Sequence, residues 1–126
     1  MSSLYQAVIL DHSRHPRNCG IIDYPTHHGE AKNPTCGDSL SIDLLVEDGC
    51  ISKIRFTGQG CAISQASASI LSESIKGKPI EAALALGTDD ILALLGVELS
   101  PNRLKCALLS LETLKKALAQ DSTNTV

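Results

Sequence analysis

Apolar and polar residues follow two rhythms along this chain, and the points where one gives way to the other mark its elements. Near the N-terminus Leu4, Ala7, Val8 and Ile9 recur at helical spacing and predict a short amphipathic helix from Leu4 to Asp11. Ser3 and Gln6 give it a capping-box start. Pro16 and the run Arg17-Asn18-Cys19-Gly20 then read as a turn. From Asp38 the period drops to two. Leu40, Ile42, Leu44 and Val46 alternate with Ser39, Ser41, Asp43 and Leu45, the pattern of a half-buried strand. Glu47-Asp48-Gly49 reads as a hairpin turn, after which Ile54 and Phe56 alternate with Lys53, Arg55 and Thr57 on a returning strand. His28 to Lys32 predicts a third strand, which the sheet needs because an isolated pair is marginal in water.

Helical spacing returns after Gly58-Gln59-Gly60. Ala62 to Lys76 is rich in Ala and Ser and predicts a helix that packs closely on the sheet and stops at Gly77. Pro79, as a first helical residue, opens a short helix through Leu86; Asp89 and Asp90 precede another from Ile91 to Leu95, ended by Gly96. Ser100 as N-cap and Pro101 begin the last helix, whose apolar stripe is Leu104, Leu108, Leu111, Leu114 and Leu118. With no internal repeat and no linker, one domain is expected over 1–126, frayed at 1–3 and 120–126. Strands first and helices afterwards predict an α+β domain: a small antiparallel three-stranded sheet with helices packed on one face.

Composition narrows the function classes. Hydrophobic residues make up 43% of the 126 residues and charged ones 20%, enough for a core. Tyr5, Tyr24 and Phe56 are the whole aromatic set, so the core is aliphatic and a base-stacking surface for single-stranded nucleic acid is not expected. A net charge of −3 also argues against a nucleic-acid partner. No apolar run is long enough to span a bilayer, and the N-terminus lacks a basic region followed by an apolar stretch. A cytoplasmic location is therefore expected. There disulfides are rare, and an odd count of five cysteines fits a closed disulfide framework poorly.

Three of those cysteines lie at element ends. Cys36 sits in the turn Asn33-Pro34-Thr35-Cys36-Gly37-Asp38, Cys61 opens a helix after Gly58-Gln59-Gly60, and Cys106 lies in the first turns of the last helix. A helix start favours a thiolate at Cys61. Asp38, two residues from Cys36, projects to the same side if it opens the strand. Three thiolates and a carboxylate suit tetrahedral Zn²⁺, and three thiolates with a weaker ligand suit an iron–sulfur cluster. Gaps of 25 and 45 residues match no short metal signature, so spacing alone leaves open a shared metal site or scattered core cysteines. Gly37, Gly58 and Gly60 favour the first, because they imply unusual backbone or close approach beside two of the thiols. Cys19 and Cys50 have no second ligand adjacent and read as incidental. His12, His15, His27 and His28 read as surface or capping residues rather than ligands; on a strand, His27 and His28 face opposite ways. Lys105 is either a charge favouring the Cys106 thiolate or an ordinary solvated lysine.

The blocks Asp11-His12-x-x-x-Pro16-Arg17-Asn18-x-Gly20, Asn33-Pro34-x-Cys36-Gly37-Asp38, Gly58-x-Gly60-Cys61-Ala62-Ile63-Ser64-x-Ala66-Ser67 and Arg103-x-Lys105-Cys106 resemble the U-type iron–sulfur scaffold family, which includes IscU, SufU and the N-terminal domain of NifU. The resemblance spans Leu4 to Leu118. It implies a SufE/NifU-like α+β fold, and a site in which Cys36, Cys61 and Cys106 hold a transient [2Fe–2S] cluster with Asp38 as neighbouring ligand, or Zn²⁺ in its place. It implies a cysteine desulfurase of the IscS/SufS type as sulfur donor, with Cys36 or Cys106 as persulfide acceptor. Apo iron–sulfur proteins or carriers would receive the cluster. The branch is mixed. IscU proteins carry a histidine before the third cysteine and a Leu-Pro-Pro-Val-Lys segment; here Lys105 replaces the histidine and Leu99-Ser100-Pro101-Asn102-Arg103 the segment. Lys105 resembles SufU, yet the stretch from Gly77 to Cys106 is too short for the insertion SufU proteins carry there. The implied activities are a non-enzymatic scaffold or, if an enzyme, a zinc-dependent sulfurtransferase relaying persulfide sulfur without a cluster. A purely structural zinc adaptor ranks last, because the leucine stripe gives the chain a core of its own.

Overall fold

The computed structural model describes residues 3–33, 37–96 and 99–119, with side chains from Gln6 onward. The elements run α1 (Ser3–Arg14), β1 (His27–Asn33), β2 (Asp38–Glu47), β3 (Cys50–Gln59), α2 (Ala62–Ile75), α3 (Ile80–Leu84), α4 (Thr88–Leu95) and α5 (Pro101–Ala119). Each sequence-predicted element is present. Helix α1 runs one turn further than its apolar pattern, to Arg14, and Ser3 already belongs to it. Of the frayed ends expected at 1–3 and 120–126, residues 1–2 and 120–126 lie outside the described residues. No helix among the described residues is long and apolar enough to cross a membrane.

The sheet is an antiparallel meander in the order β1-β2-β3. Its hairpin between β2 and β3 turns on Asp48 and Gly49, both at positive φ (54° and 76°), the backbone that matches the twist of the flanking strands. Strand period two puts Ala31, Leu40, Ile42, Leu44, Ile54 and Phe56 on one face, all at most 4% exposed. The helices lie on that face. Across part of the other runs the segment after Asn18. It first bonds the outer edge of β3 (Gly20 N–H to the Phe56 carbonyl, 2.9 Å) and then donates the Ile22 N–H to the Asp43 carboxylate at 3.1 Å.

Helix α5 is the central packing element, and its contact with the sheet differs from the leucine stripe expected. Leu104 and Leu108 are only half-buried, whereas Ala107, Ser110, Thr113, Leu114 and Ala117 are fully buried. The cause lies on β1. A Cβ at Gly29 would stand 2.5 Å from the Ala117 nitrogen and 2.7 Å from the Thr113 carbonyl oxygen, so helix backbone rests directly on strand backbone. At that distance only small residues fit the seam. Helix α2 has the same character, with Ala66, Ser67, Ala68, Ser69 and Ser72 at most 2% exposed. It packs chiefly between α1 and α5, and meets the sheet mainly along β3. Three of its buried serines are satisfied by their own helix, by α1 or by the turn after α1: Ser67 and Ser72 donate to the carbonyls of Ile63 and Ser69, and Ser69 pairs with His12 Nδ1 at 2.7 Å and accepts the Arg17 N–H at 2.8 Å.

Candidate metal centre

The start of β2, the end of β3 and the first turns of α2 and α5 meet at one end of the sheet. Asp38 opens β2 and is 3% exposed. Cys61 is the N-cap of α2, and Cys106 sits in the second turn of α5, 5% exposed. One ligand atom from each of Asp38, Cys61 and Cys106 lies within 4.8 Å of the others. Cys36 lies outside the described residues. In sequence it falls between Asn33 and Asp38, which are paired in the β1–β2 ladder.

Glycine makes this convergence possible. A Cβ at Gly60 would sit 2.8 Å from the Asp38 carboxyl carbon, and one at Gly58 would sit 2.3 Å from the Ser39 carbonyl oxygen. Any side chain there would push the strand end and Cys61 apart. Gly37 serves differently: it is at φ 75° with open space around it, so its backbone conformation is what favours glycine.

The Asp38 carboxylate is held on several sides. It accepts the Cys61 N–H at 3.3 Å and a hydrogen bond from the Ser64 hydroxyl, and its Oδ2 stands 3.8 Å from Cys61 Sγ. Ser64 is 4% exposed, lies 3.7 Å from Cys61 Sγ, and also reaches the Cys106 carbonyl at 3.4 Å. It therefore ties all three elements together, a role that reading the chain for ligands passed over. The available signal was its place three residues into a helix from Cys61, on the same face as the cap. The donor set fits a metal. With bonds of about 2.0–2.3 Å, tetrahedral zinc spaces its ligand atoms by about 3.3–3.8 Å, and the Asp38–Cys61 separation is at the upper end of that range.

The other candidates fall elsewhere. Cys19 lies at the edge of β3, where partial burial pushes its thiol up, and Cys50 starts β3 opposite Pro79. Neither belongs to the cluster found among the described residues. His12 is bound into the α1–α2 seam, and its burial pushes its pKa down. His27 faces the core and His28 the opposite side, as strand alternation predicts. A 2.6 Å hydrogen bond to Asp43 holds the His28 imidazole above its ordinary range, against the opposing effect of partial burial.

A cavity of about 340 Å³ opens beside the thiols, lined by Asn33, Cys61, Ala62, Ile63, Asn102, Arg103, Lys105 and Cys106. An adjoining hollow shares Asn33 and Lys105 and adds Lys32 and Glu112.

Comparison with known proteins places this geometry in context. The family described as NifU-like N terminal domain matches residues 4–125. The zinc-dependent sulfurtransferase SufU of Bacillus subtilis (strain 168) is 36% identical, over 96% of this chain and 93% of its own. The iron–sulfur cluster assembly scaffold protein IscU of Aquifex aeolicus (strain VF5) is 40% identical, over 94% of this chain and 76% of its own. Among solved structures, a candidate iron–sulfur cluster assembly scaffold protein of the SUF system from Fervidobacterium islandicum AW-1 superposes with a TM-score of 0.80 at 29% identity, covering 94% of this chain and 99% of the other.

Proposed function

The chain belongs to the family of NifU-like N-terminal domains, and on that premise we propose that it is an assembly scaffold for iron–sulfur clusters, working in the reducing cytoplasm. Cys36, Cys61 and Cys106 with Asp38 take iron and sulfide as substrates and hold them as a transient [2Fe–2S] cluster. Sulfur arrives as a persulfide from a cysteine desulfurase of the IscS/SufS type, with Cys36 or Cys106 as acceptor, and the finished cluster passes to apo-proteins or carriers. The observation that supports this most is the convergence of Asp38, Cys61 and Cys106 at the mouth of an open cavity. Cluster release needs exchangeable ligands, which a sealed structural zinc site does not offer. Anaerobic reconstitution with iron, cysteine and a desulfurase tests it: a visible chromophore is expected, and it should vanish in Cys61→Ala. No chromophore, alongside normal stimulation of the desulfurase, overturns the scaffold role.

A second reading is a zinc-dependent sulfur relay that never carries a cluster. It is favoured by the identity with a relative named as a zinc-dependent sulfurtransferase and by ligand spacing suited to tetrahedral zinc. That relative aligns over 138 residues, more than this chain's 126, so it carries residues without a counterpart here. Zinc that survives purification, with desulfurase stimulation lost in Asp38→Ala, is the expected signature. Equal stimulation by the metal-free and zinc forms excludes it.

A further inference from the structure

We propose that the cavity beside the thiols is a subsite for the carboxylate of a small thiol or persulfide, and that Arg103 and Lys105 give it this selectivity. The inference deepens the sulfur-accepting role proposed above and rests on it.

In a chain of net charge −3, the cavity lining concentrates positive charge. Arg103 and Lys105 are exposed, and neither forms an ion pair with another described residue. Asp38 is not part of the lining: it is buried, with its carboxylate turned to the Ser64 hydroxyl and the Cys61 N–H, so among the described residues the lining itself holds two cations and no carboxylate. Ala62 and Ile63, also in the lining, are the first two residues of α2, where the helix pattern leaves N–H groups open and the dipole favours an anion. Asn33 and Asn102 add amides that can both donate and accept. The polar part of the lining thus offers an anion its partners next to two sulfurs, on walls that are otherwise largely apolar. On α5, Asn102 and Arg103 lie four and three residues before Cys106, one turn away on the same side.

The size of the cavity selects among anions. About 340 Å³ is near the lower end for small-molecule sites, so it has room for one small ligand, no larger than about a tripeptide. The adjoining hollow contributes Lys32, which extends the positive field along the approach, with Glu112 as its one acidic residue. A carboxylate seated between Arg103 and Lys105 sets the sulfur end of such a ligand toward Cys61 and Cys106. The step is a balanced exchange. A cavity thiolate attacks the outer sulfur of the persulfide, the donor's S–S bond breaks, a new S–S bond forms on the protein cysteine, and the donor leaves as its thiolate. No further oxidant or reductant is required.

The test compares two donors that differ only in charge: the persulfide of N-acetylcysteine, a carboxylate, and that of its neutral amide. Metal-free full-length protein is treated anaerobically, and persulfide at Cys61 and Cys106 is followed by mass spectrometry. At low ionic strength the carboxylate is expected to react about tenfold faster than the amide, an advantage that added salt removes. In Arg103→Gln/Lys105→Gln the ratio of the two rates should fall to about one, with iodoacetamide labelling of Cys61 and Cys106 showing that the thiols remain accessible. The exchange Arg103→Lys/Lys105→Arg should restore the advantage. Equal rates in the wild type, or an advantage that survives loss of both cations, overturns the proposal. The rate ratio does not depend on a cluster forming, so it can fail while reconstitution succeeds, and the reverse.

Discussion

Asp38 shows what one residue contributes here. A carboxylate 3% exposed is costly unless it is paired or hydrogen-bonded, and it gains the Ser64 hydroxyl and the Cys61 N–H. The same contacts fix the direction in which it offers an oxygen, as partners behind a metal ligand commonly do. Ser64→Ala is therefore expected to weaken zinc binding by about 10–100-fold while leaving the fold intact. Chelator competition, with circular dichroism as control, measures both; unchanged affinity would reduce Ser64 to a packing residue. Asp38 and Cys61 stood out in the sequence because a turn and a Gly-x-Gly run flank them. Ser64 did not, since a serine in a helix rich in serine carries no mark until the start of that helix is known to abut a strand end.

At the scale of elements, α5 carries Cys106 to the site, and its placement depends on β1. The small residues Ala107, Ser110, Thr113 and Ala117 let the helix rest on the strand, and Gly29 is the point of closest approach. Gly29→Ala sets a methyl against helix backbone, which cannot rotate away. It is expected to cost about 1–3 kcal/mol, the usual range for overpacking, seen as a lower urea midpoint. Metal affinity should fall with it, because Cys106 moves with the helix. Gly49→Ala is the contrast: nothing lies within 4 Å of its added Cβ, so its cost is confined to the positive-φ turn and metal affinity should hold. The leucines of α5 announced a helix with a buried face. They did not reveal that the tightest contact runs through its small residues, because a spacing pattern weighs large apolar side chains and says nothing of how near two backbones come.

For the whole molecule, the question is whether metal or core holds the fold. Leu44, Ile51, Ile54, Phe56, Leu71, Ile91, Leu95 and Leu114 are at most 1% exposed in one cluster reached from the sheet and from α2, α4 and α5. Each such side chain contributes about 1.5–3 kcal/mol by leaving water. Chelation should accordingly leave far-UV dichroism and cooperative unfolding in place, while removing the increment that a bound ligand adds, about 4 kcal/mol at a thousandfold excess over its Kd. Outright unfolding on chelation would instead mark a structural zinc domain. The sequence by itself determined the element order, the three-stranded antiparallel sheet with helices on one face, and the family, because hydrophobic period, turn chemistry and motif blocks are local properties. It also singled out Asp38, Cys61 and Cys106. Only the tertiary structure decided that these three meet, that Ser64 binds them together, and that Arg103 and Lys105 stand over an open cavity. Those are contacts between residues 23 or more positions apart, set by the backbone approaches at Gly58, Gly60 and Gly29, which no local pattern encodes.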